Sequence, residues 1–223
     1  MPTSVNGGFR LIVYDLDGTL VDTRTDIARA TNHMRARVGL PSLPEKEICG
    51  YVGLGLTRLV EGCLGPADPA KVEEATRIYR AFYSQHLLDH AALYPGVREV
   101  LEHFQERNQA VITNKPDPYS RQILEALGLA GYFLEIVVGN SGYAKKPDPE
   151  SLLVLMRREG APPEGTLFIG DSPVDVETGF RAGVTTAVVT QGFSKREELE
   201  RAGPDYLVRG FPELLELARG RSW

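Results

Sequence analysis

Two cysteines in 223 residues, Cys49 and Cys63, are too few for a disulfide framework. They are expected to be reduced, half-buried thiols, as in a cytoplasmic protein. No apolar stretch approaches the roughly 20 residues that cross a bilayer, which argues against a membrane-spanning helix. Basic residues are outnumbered, 25 Lys and Arg against 30 Asp and Glu, and the net charge is −5. With no long basic run, neither nucleic acid nor an anionic membrane is expected as a partner. Met1–Gly8 has neither a charged start nor an apolar centre, so it reads as a loose polar lead, not a signal peptide. Internal repeats and low-complexity tracts are also missing. A chain of this length can bury one good-sized core plus an insertion.

What is present is organised around Leu11-Ile12-Val13-Tyr14-Asp15-Leu16-Asp17-Gly18-Thr19-Leu20. Leu11–Tyr14 is β-branched and aromatic, as in a buried strand of a parallel sheet. Burying an unpaired charge costs several kcal/mol, so Asp15 and Asp17 belong where the strand leaves the sheet. That carboxyl end is where open α/β sheets place ligands. Extended backbone would point the two acids to opposite sides, and Gly18 permits a turn that gathers them around one centre. A D-x-D after a strand is, by itself, equally an acidic loop junction.

From about Asp22 to Ala92 the periodicity is helical and no strand is evident between Leu20 and Tyr94. Ile27, Ala30, Thr31, Met34 and Val38 recur at three- and four-residue steps, and Gly39-Leu40-Pro41 ends that helix. Gly50-Tyr51-Val52-Gly53-Leu54-Gly55 is glycine-rich but lacks the lysine of a P-loop. Pro69–Leu88 reads as a long amphipathic helix whose stripe of Ile78, Phe82 and Tyr83 is ordinary core. From Tyr94 onward strands and helices alternate, as βαβ units of a parallel sheet do. The expected fold is α/β: a Rossmann-like core from residues 1–21 and 93–223, with an all-helical insertion over 22–92.

Polar residues collect at four strand ends. Asp15 and Asp17 follow the first, Thr113-Asn114 the second, Lys145-Lys146-Pro147-Asp148 the third, and Asp171-Ser172-Pro173-Val174-Asp175 the fourth. In a parallel sheet all four share one edge. Clustered acids repel unless a cation sits among them, and hard oxygen donors suit Mg²⁺.

These four segments, in order and type, resemble the motifs of the haloacid dehalogenase superfamily, in particular its aspartate-nucleophile phosphatases. The resemblance covers nearly the whole chain. It implies that Asp15 attacks phosphorus and that Asp17 is the general acid and base. Dehalogenases lack the second acid and phosphonate hydrolases usually carry a small residue there, so Asp17 points to the phosphatase branch. The Asp15 carboxylate, the Asp17 carbonyl and the Asp171 carboxylate would hold Mg²⁺. Thr113 would donate to a phosphoryl oxygen, with Asn114 either a phosphate contact or a turn residue. Lysine immediately before proline selects Lys146 over Lys145 to neutralise the phosphoryl group. Ser172 and Asp175 would support the metal acid, Asp175 by a water contact, by orienting Lys146, or by capping the following helix.

The insertion resembles the family's cap, with hinges near 20–25 and 91–96. Its glycine loop and Thr57-Arg58 would face the leaving group, although Arg58 also reads as a plain surface arginine. His86 and His90 are spaced to bind metal on one helical face, but no H-E-x-x-H follows, and a solvated pair is the simpler reading. Thr113-Asn114-Lys115, Gly139–Lys146 and Gly170-Asp171-Ser172 look most like the phosphoglycolate phosphatase branch, whose substrate is a small phosphorylated metabolite. Pyrophosphate, sugar phosphates and nucleotides are served by divergent members. A β-phosphoglucomutase-type mutase shares the motifs but carries a histidine where this chain has Ile27, which favours hydrolysis. A catalytically silent module would break the motif set, which is complete here. A monomer or homodimer is expected.

Overall fold

The computed structural model describes residues 8–223, so the expectation for the polar lead over 1–7 lies outside the described residues. The first strand, β1 (Leu11–Tyr14), is followed by a two-residue strand, β2 (Val21–Asp22), and by helices α1 (Arg24–Arg37), α2 (Glu45–Cys49), α3 (Leu56–Leu64) and α4 (Pro69–His86). A second two-residue strand, β3 (Ala92–Leu93), leads back to α5 (Val97–His103), β4 (Asn108–Ile112), α6 (Tyr119–Ala126) and β5 (Glu135–Val137). Then come α7 (Glu150–Arg158), β6 (Thr166–Gly170), α8 (Pro173–Ala182), β7 (Thr185–Val189), α9 (Arg196–Ala202), β8 (Tyr206–Val208) and α10 (Phe211–Arg221).

Six strands form one parallel sheet in the order β5-β4-β1-β6-β7-β8. β1 lies at its centre, and all four of its residues are buried. The run is apolar throughout because both faces of the sheet are covered. Ile12 and Tyr14 join one core, which continues through Ile27, Met34, Tyr79 and Tyr83 of the helical insertion. Leu11 and Val13 join the other, with Leu152, Leu155 and Phe168. Each fully buried side chain of this kind contributes on the order of 1.5–3 kcal/mol relative to exposure.

The insertion is not strand-free. β2 and β3 pair antiparallel, Val21 opposite Leu93 and Asp22 opposite Ala92. Two-residue strands are too short to show any period, so sequence patterning passes over them. The ribbon joins the two crossings between the sheet and α1–α4. α1 buries Ile27, Ala30, Thr31 and Met34 on the expected face. α4 starts on Asp68, whose side chain accepts from the Lys71 amide, with Pro69 at the first helical position.

The helix stops at His86, so His86 and His90 do not share a helical face. His86 Nδ1 sits 2.9 Å from Asp89, while His90 Nδ1 lies 2.8 Å from the fully buried Asp26. Asp26 also accepts from the amides of His90 and Ala91 at 2.9 and 3.0 Å. It thereby clasps the chain just before β3. Both cysteines are buried and free, and among the described residues no helix is long and apolar enough to cross a membrane.

Candidate active site

β1 and β6 are neighbours, with Tyr14 opposite Ile169, so their carboxyl ends bring Asp15 beside the Gly170-Asp171 turn. The strands end one residue before these acids, and β4 ends before Thr113. The charged groups therefore leave the ladder where the sheet stops. Gly18, with φ of +83°, turns the chain back toward β6. A Cβ at Gly18 would fall 2.3 Å from Asp171 Oδ2, and one at Gly192 would fall 2.3 Å from the same oxygen. The two glycines form a cradle for the Asp171 carboxylate that no larger residue would leave open. Thr19 Oγ1 donates to Asp171 Oδ1 at 2.9 Å, and the Phe193 amide donates to Oδ2 at 2.8 Å.

Asp15, Asp171 and Asp175 each offer an oxygen within 4.8 Å of the others, and all three are buried. Lys146 Nζ lies 2.9 Å from Asp15 Oδ1 and 2.7 Å from Asp175 Oδ1. The Asp15 contact is a buried ion pair, and Lys146 stands between the two carboxylates. Asp175 does two jobs. Its Oδ2 accepts from the Ser172 hydroxyl at 2.6 Å and closes a capping box on α8, while Oδ1 holds Lys146. Lys145, by contrast, is exposed and reaches toward Gly55 of the glycine loop.

Burial dominates the electrostatics. It lifts Asp15 from 3.8 to about 6; Lys146 pulls the other way and the Asp175 charge adds to the rise. Asp171 is pushed well above the usual carboxylate range, first by burial and then by the Asp175 and Asp15 charges. Burial alone would lower the Lys146 pKa, but the Asp15 and Asp175 charges outweigh it and keep the ammonium protonated. Three crowded acids and one lysine leave excess negative charge at the floor. Three buried carboxylates whose oxygens converge within 4.8 Å are hard donors that fit a divalent cation.

Asp17 faces a second lysine. Lys115 Nζ lies 3.0 Å from both Asp17 oxygens and 2.7 Å from the Tyr83 hydroxyl, and Thr23 Oγ1 donates to Asp17 Oδ1 at 2.6 Å. Thr113 is buried, and its Oγ1 accepts from the Lys115 amide. Asn114 is occupied by backbone: its Nδ2 donates to the carbonyls of Gly53 and Lys146, and its Oδ1 accepts from the Lys146 amide at 2.9 Å. Its side chain thus brackets Lys146 and grips the glycine loop. Arg58 pairs with Glu61 and is 71% exposed, the arrangement of a surface arginine.

A cavity of about 50 Å³ lies between the strand ends and the insertion. Asp15, Asp17, Thr113, Asn114 and Lys115 form its floor, with Gly53, Gly55 and apolar residues of α1, α3 and α4 above. Tyr79 and Tyr83 are among them, so Tyr83 of the expected core stripe is part of the site wall, while Ile78 and Phe82 are not among the lining residues. Lys115, Tyr83, Thr19 and Thr23 are the residues that sequence reasoning passed over. Lys115 directly follows Thr113-Asn114 at a strand end, a signal that was available. Nothing in the helical period distinguishes Tyr83 from its core neighbours.

The sequence pattern of haloacid dehalogenase-like hydrolases matches residues 12–189. A phosphoglycolate phosphatase of Haemophilus influenzae is 33% identical over 223 residues, covering 96% of this chain and all of that protein. One from Pseudomonas syringae pv. syringae is 34% identical over 215 residues, 92% of this chain and 78% of the relative. The crystal structure of a protein described as a predicted phosphoglycolate phosphatase, from Haemophilus somnus 129pt, superposes with a TM-score of 0.89 at 30% identity, covering 94% of this chain and 98% of that one. With its sheet order, its strand-end acids and a match that spans both the sheet and the helical insertion, this chain belongs to the haloacid dehalogenase-like hydrolase family.

Proposed function

We propose that this chain is a Mg²⁺-dependent phosphatase that hydrolyses a small phosphate monoester, phosphoglycolate foremost, through an aspartyl-phosphate on Asp15. The observation that carries it is the buried Asp15, paired with Lys146 at 2.9 Å, with an oxygen within 4.8 Å of Asp171 and Asp175 and in one cavity with Asp17. Asp15 attacks phosphorus through a carboxylate oxygen; the new P–O bond forms as the ester P–O bond breaks. Asp17 gives its proton to the departing alcohol oxygen, then takes one from the water that attacks the aspartyl-phosphate, releasing inorganic phosphate. Lys146 offsets charge on the phosphoryl oxygens, Thr113 donates to one of them, and Asn114 fixes the Lys146 backbone. The Asp15 and Asp171 carboxylates with the Asp17 carbonyl would hold Mg²⁺, backed by Asp175 and Ser172, and the ion would supply positive charge against the phosphoryl oxygens.

Residues 22–92 act as a cap hinged at the β2–β3 ribbon, excluding water during transfer. The mutase reading is disfavoured because Ile27 lines the cavity and no histidine is among the lining residues. A cytoplasmic setting accords with the two free thiols. The test is a screen of small phosphate esters with and without Mg²⁺, including phosphoglycolate, pyrophosphate and sugar phosphates. Metal-dependent phosphate release, fastest with phosphoglycolate, is expected. Metal-independent release, or isomer formation from a sugar phosphate, would overturn the reading.

A further inference from the structure

Lys115 is the only cation among the described residues lining the cavity. Lys146 lies beneath Asp15, Lys145 is exposed, and Arg58 is turned outward to Glu61. The wall that α1, α3 and α4 contribute is apolar or aromatic: Ile27, Leu56, Leu59, Tyr79 and Tyr83. No cationic side chain of the insertion lines the cavity to meet an anionic leaving group. Among the lining residues, the counter-charge for such a group is on the floor, and it is Lys115.

Its position fits that task. Lys115 Nζ is 3.0 Å from each oxygen of Asp17, the acid assigned to the leaving oxygen, so the ammonium and the leaving oxygen share one carboxylate. Atoms one or two bonds beyond the leaving oxygen then fall within reach of Nζ. The Tyr83 hydroxyl, 2.7 Å from Nζ, and the Tyr83 ring, 4.7 Å from it, fix the lysine from the other side. With one Asp17 oxygen engaged by a leaving oxygen, Lys115 would keep the other and have an N–H to direct at the substrate.

We propose that Lys115, framed by Tyr83, is the specificity residue that selects a phosphate ester whose alcohol carries a carboxylate close to the leaving oxygen. This rests on the phosphatase reading above and deepens it. A lysine that only steered Asp17 would affect all esters alike, and the experiment separates the two roles.

The ratio of kcat/KM for phosphoglycolate to kcat/KM for ethyl phosphate is measured in the full-length protein with Mg²⁺, for wild type, Lys115→Met and Tyr83→Phe. Comparing ratios cancels the intrinsic difference between the two leaving groups. Loss of one charge-assisted contact should lower the ratio about tenfold or more in Lys115→Met, with a smaller fall in Tyr83→Phe. Lys115→Gln, which still donates to Asp17, carries the same expectation should the apolar variant fail to fold. Lys115→Arg should restore part of the ratio. An unchanged ratio with both rates depressed overturns the proposal and makes Lys115 a positioning residue for Asp17. A wild type that hydrolyses both esters without preference overturns the carboxylate selection while leaving the phosphatase reading intact. A wild type that releases phosphate from no ester overturns the phosphatase reading itself.

Discussion

Replacing Asp15, the proposed nucleophile, should make this protein more stable, and the gain should grow with pH. In the folded state Asp15 titrates at about 6 against 3.8 unfolded, because burial penalises its charge more than Lys146 favours it. The folded protein keeps a proton there that the unfolded chain has released, so raising the pH through that window favours unfolding. The stability tied to the protonated group is whole below the unfolded pKa and is lost as pH climbs through the folded one. A gap of about two units, at about 1.36 kcal/mol each, sets the full loss at roughly 3 kcal/mol. Asparagine cannot ionise and escapes that loss. Asp15→Asn should therefore gain about 1 kcal/mol over wild type near pH 4.5 and roughly 3 kcal/mol near pH 7.5, with the Lys146 attraction already netted against burial in the folded value. Lys146 keeps its 2.7 Å contact with Asp175 in that variant.

The assay is urea unfolding of both proteins in EDTA across that pH range, read by circular dichroism, beside turnover in Mg²⁺. The variant is expected to be folded, more stable at neutral pH and inactive. Mg²⁺ should stabilise wild type near pH 7.5 and much less near pH 4.5, where the ion competes with protons for the same oxygens. A stability difference that does not change with pH, or a variant that still turns over, would refute the reasoning.

Three further outcomes follow from the geometry. Gly18→Ala places a Cβ 2.3 Å from Asp171 Oδ2 at a φ of +83°, so the thermal shift produced by Mg²⁺ should shrink or vanish; a wild-type metal midpoint would count against the cradle. Asn114→Ala removes the bracket on the Lys146 amide and carbonyl, and kcat is expected to fall more than tenfold, about 1.4 kcal/mol or more, with KM less affected. Asp26→Ala strips the chain before β3 of three hydrogen-bond acceptor contacts at a fully buried carboxylate. Urea unfolding should show a loss of about 2–4 kcal/mol, and a change below about 0.5 kcal/mol would mean that the clasp contributes nothing.

Much of the fold was legible because the parallel sheet writes itself in unbroken apolar strands, with acids permitted only where the backbone exits. Leu11–Tyr14 and Thr166–Gly170 are of this kind, and their pairing brings Asp15 and Asp171 together. Lys146 was separated from Lys145 only by the family resemblance, as the lysine before proline; in the structure Lys146 is buried among acids and Lys145 is exposed. Legibility fails where a residue's partner lies far along the chain. Lys115 is bound to Asp17 and Tyr83, 98 and 32 residues away, and no local pattern records either contact. Tyr83 obeys the helical period of a core residue while its hydroxyl reaches the site. The β2–β3 ribbon is invisible because two residues have no period, and the end of α4 at His86 was overrun because Leu87-Leu88 continue the apolar pattern.

The site tolerates its crowded acids because nearly every restraint on them is shared with the scaffold. Asp175 closes the first turn of α8 with Ser172 and, through its other oxygen, anchors Lys146. Asn114 bridges Lys146 to Gly53, tying a charge on the sheet edge to a loop of the insertion. Arg24 starts α1 by bonding Asp22 and Tyr94 at the two crossings, donates to the Gln191 carbonyl and lies over Phe193, whose amide holds Asp171. A rotation of α1–α4 about the crossings would move the same contacts that fix Lys146 and Asp171. In the proposed cap movement, access for substrate and alignment of the acids would be one mechanical event, and a variant that loosens either contact should alter both.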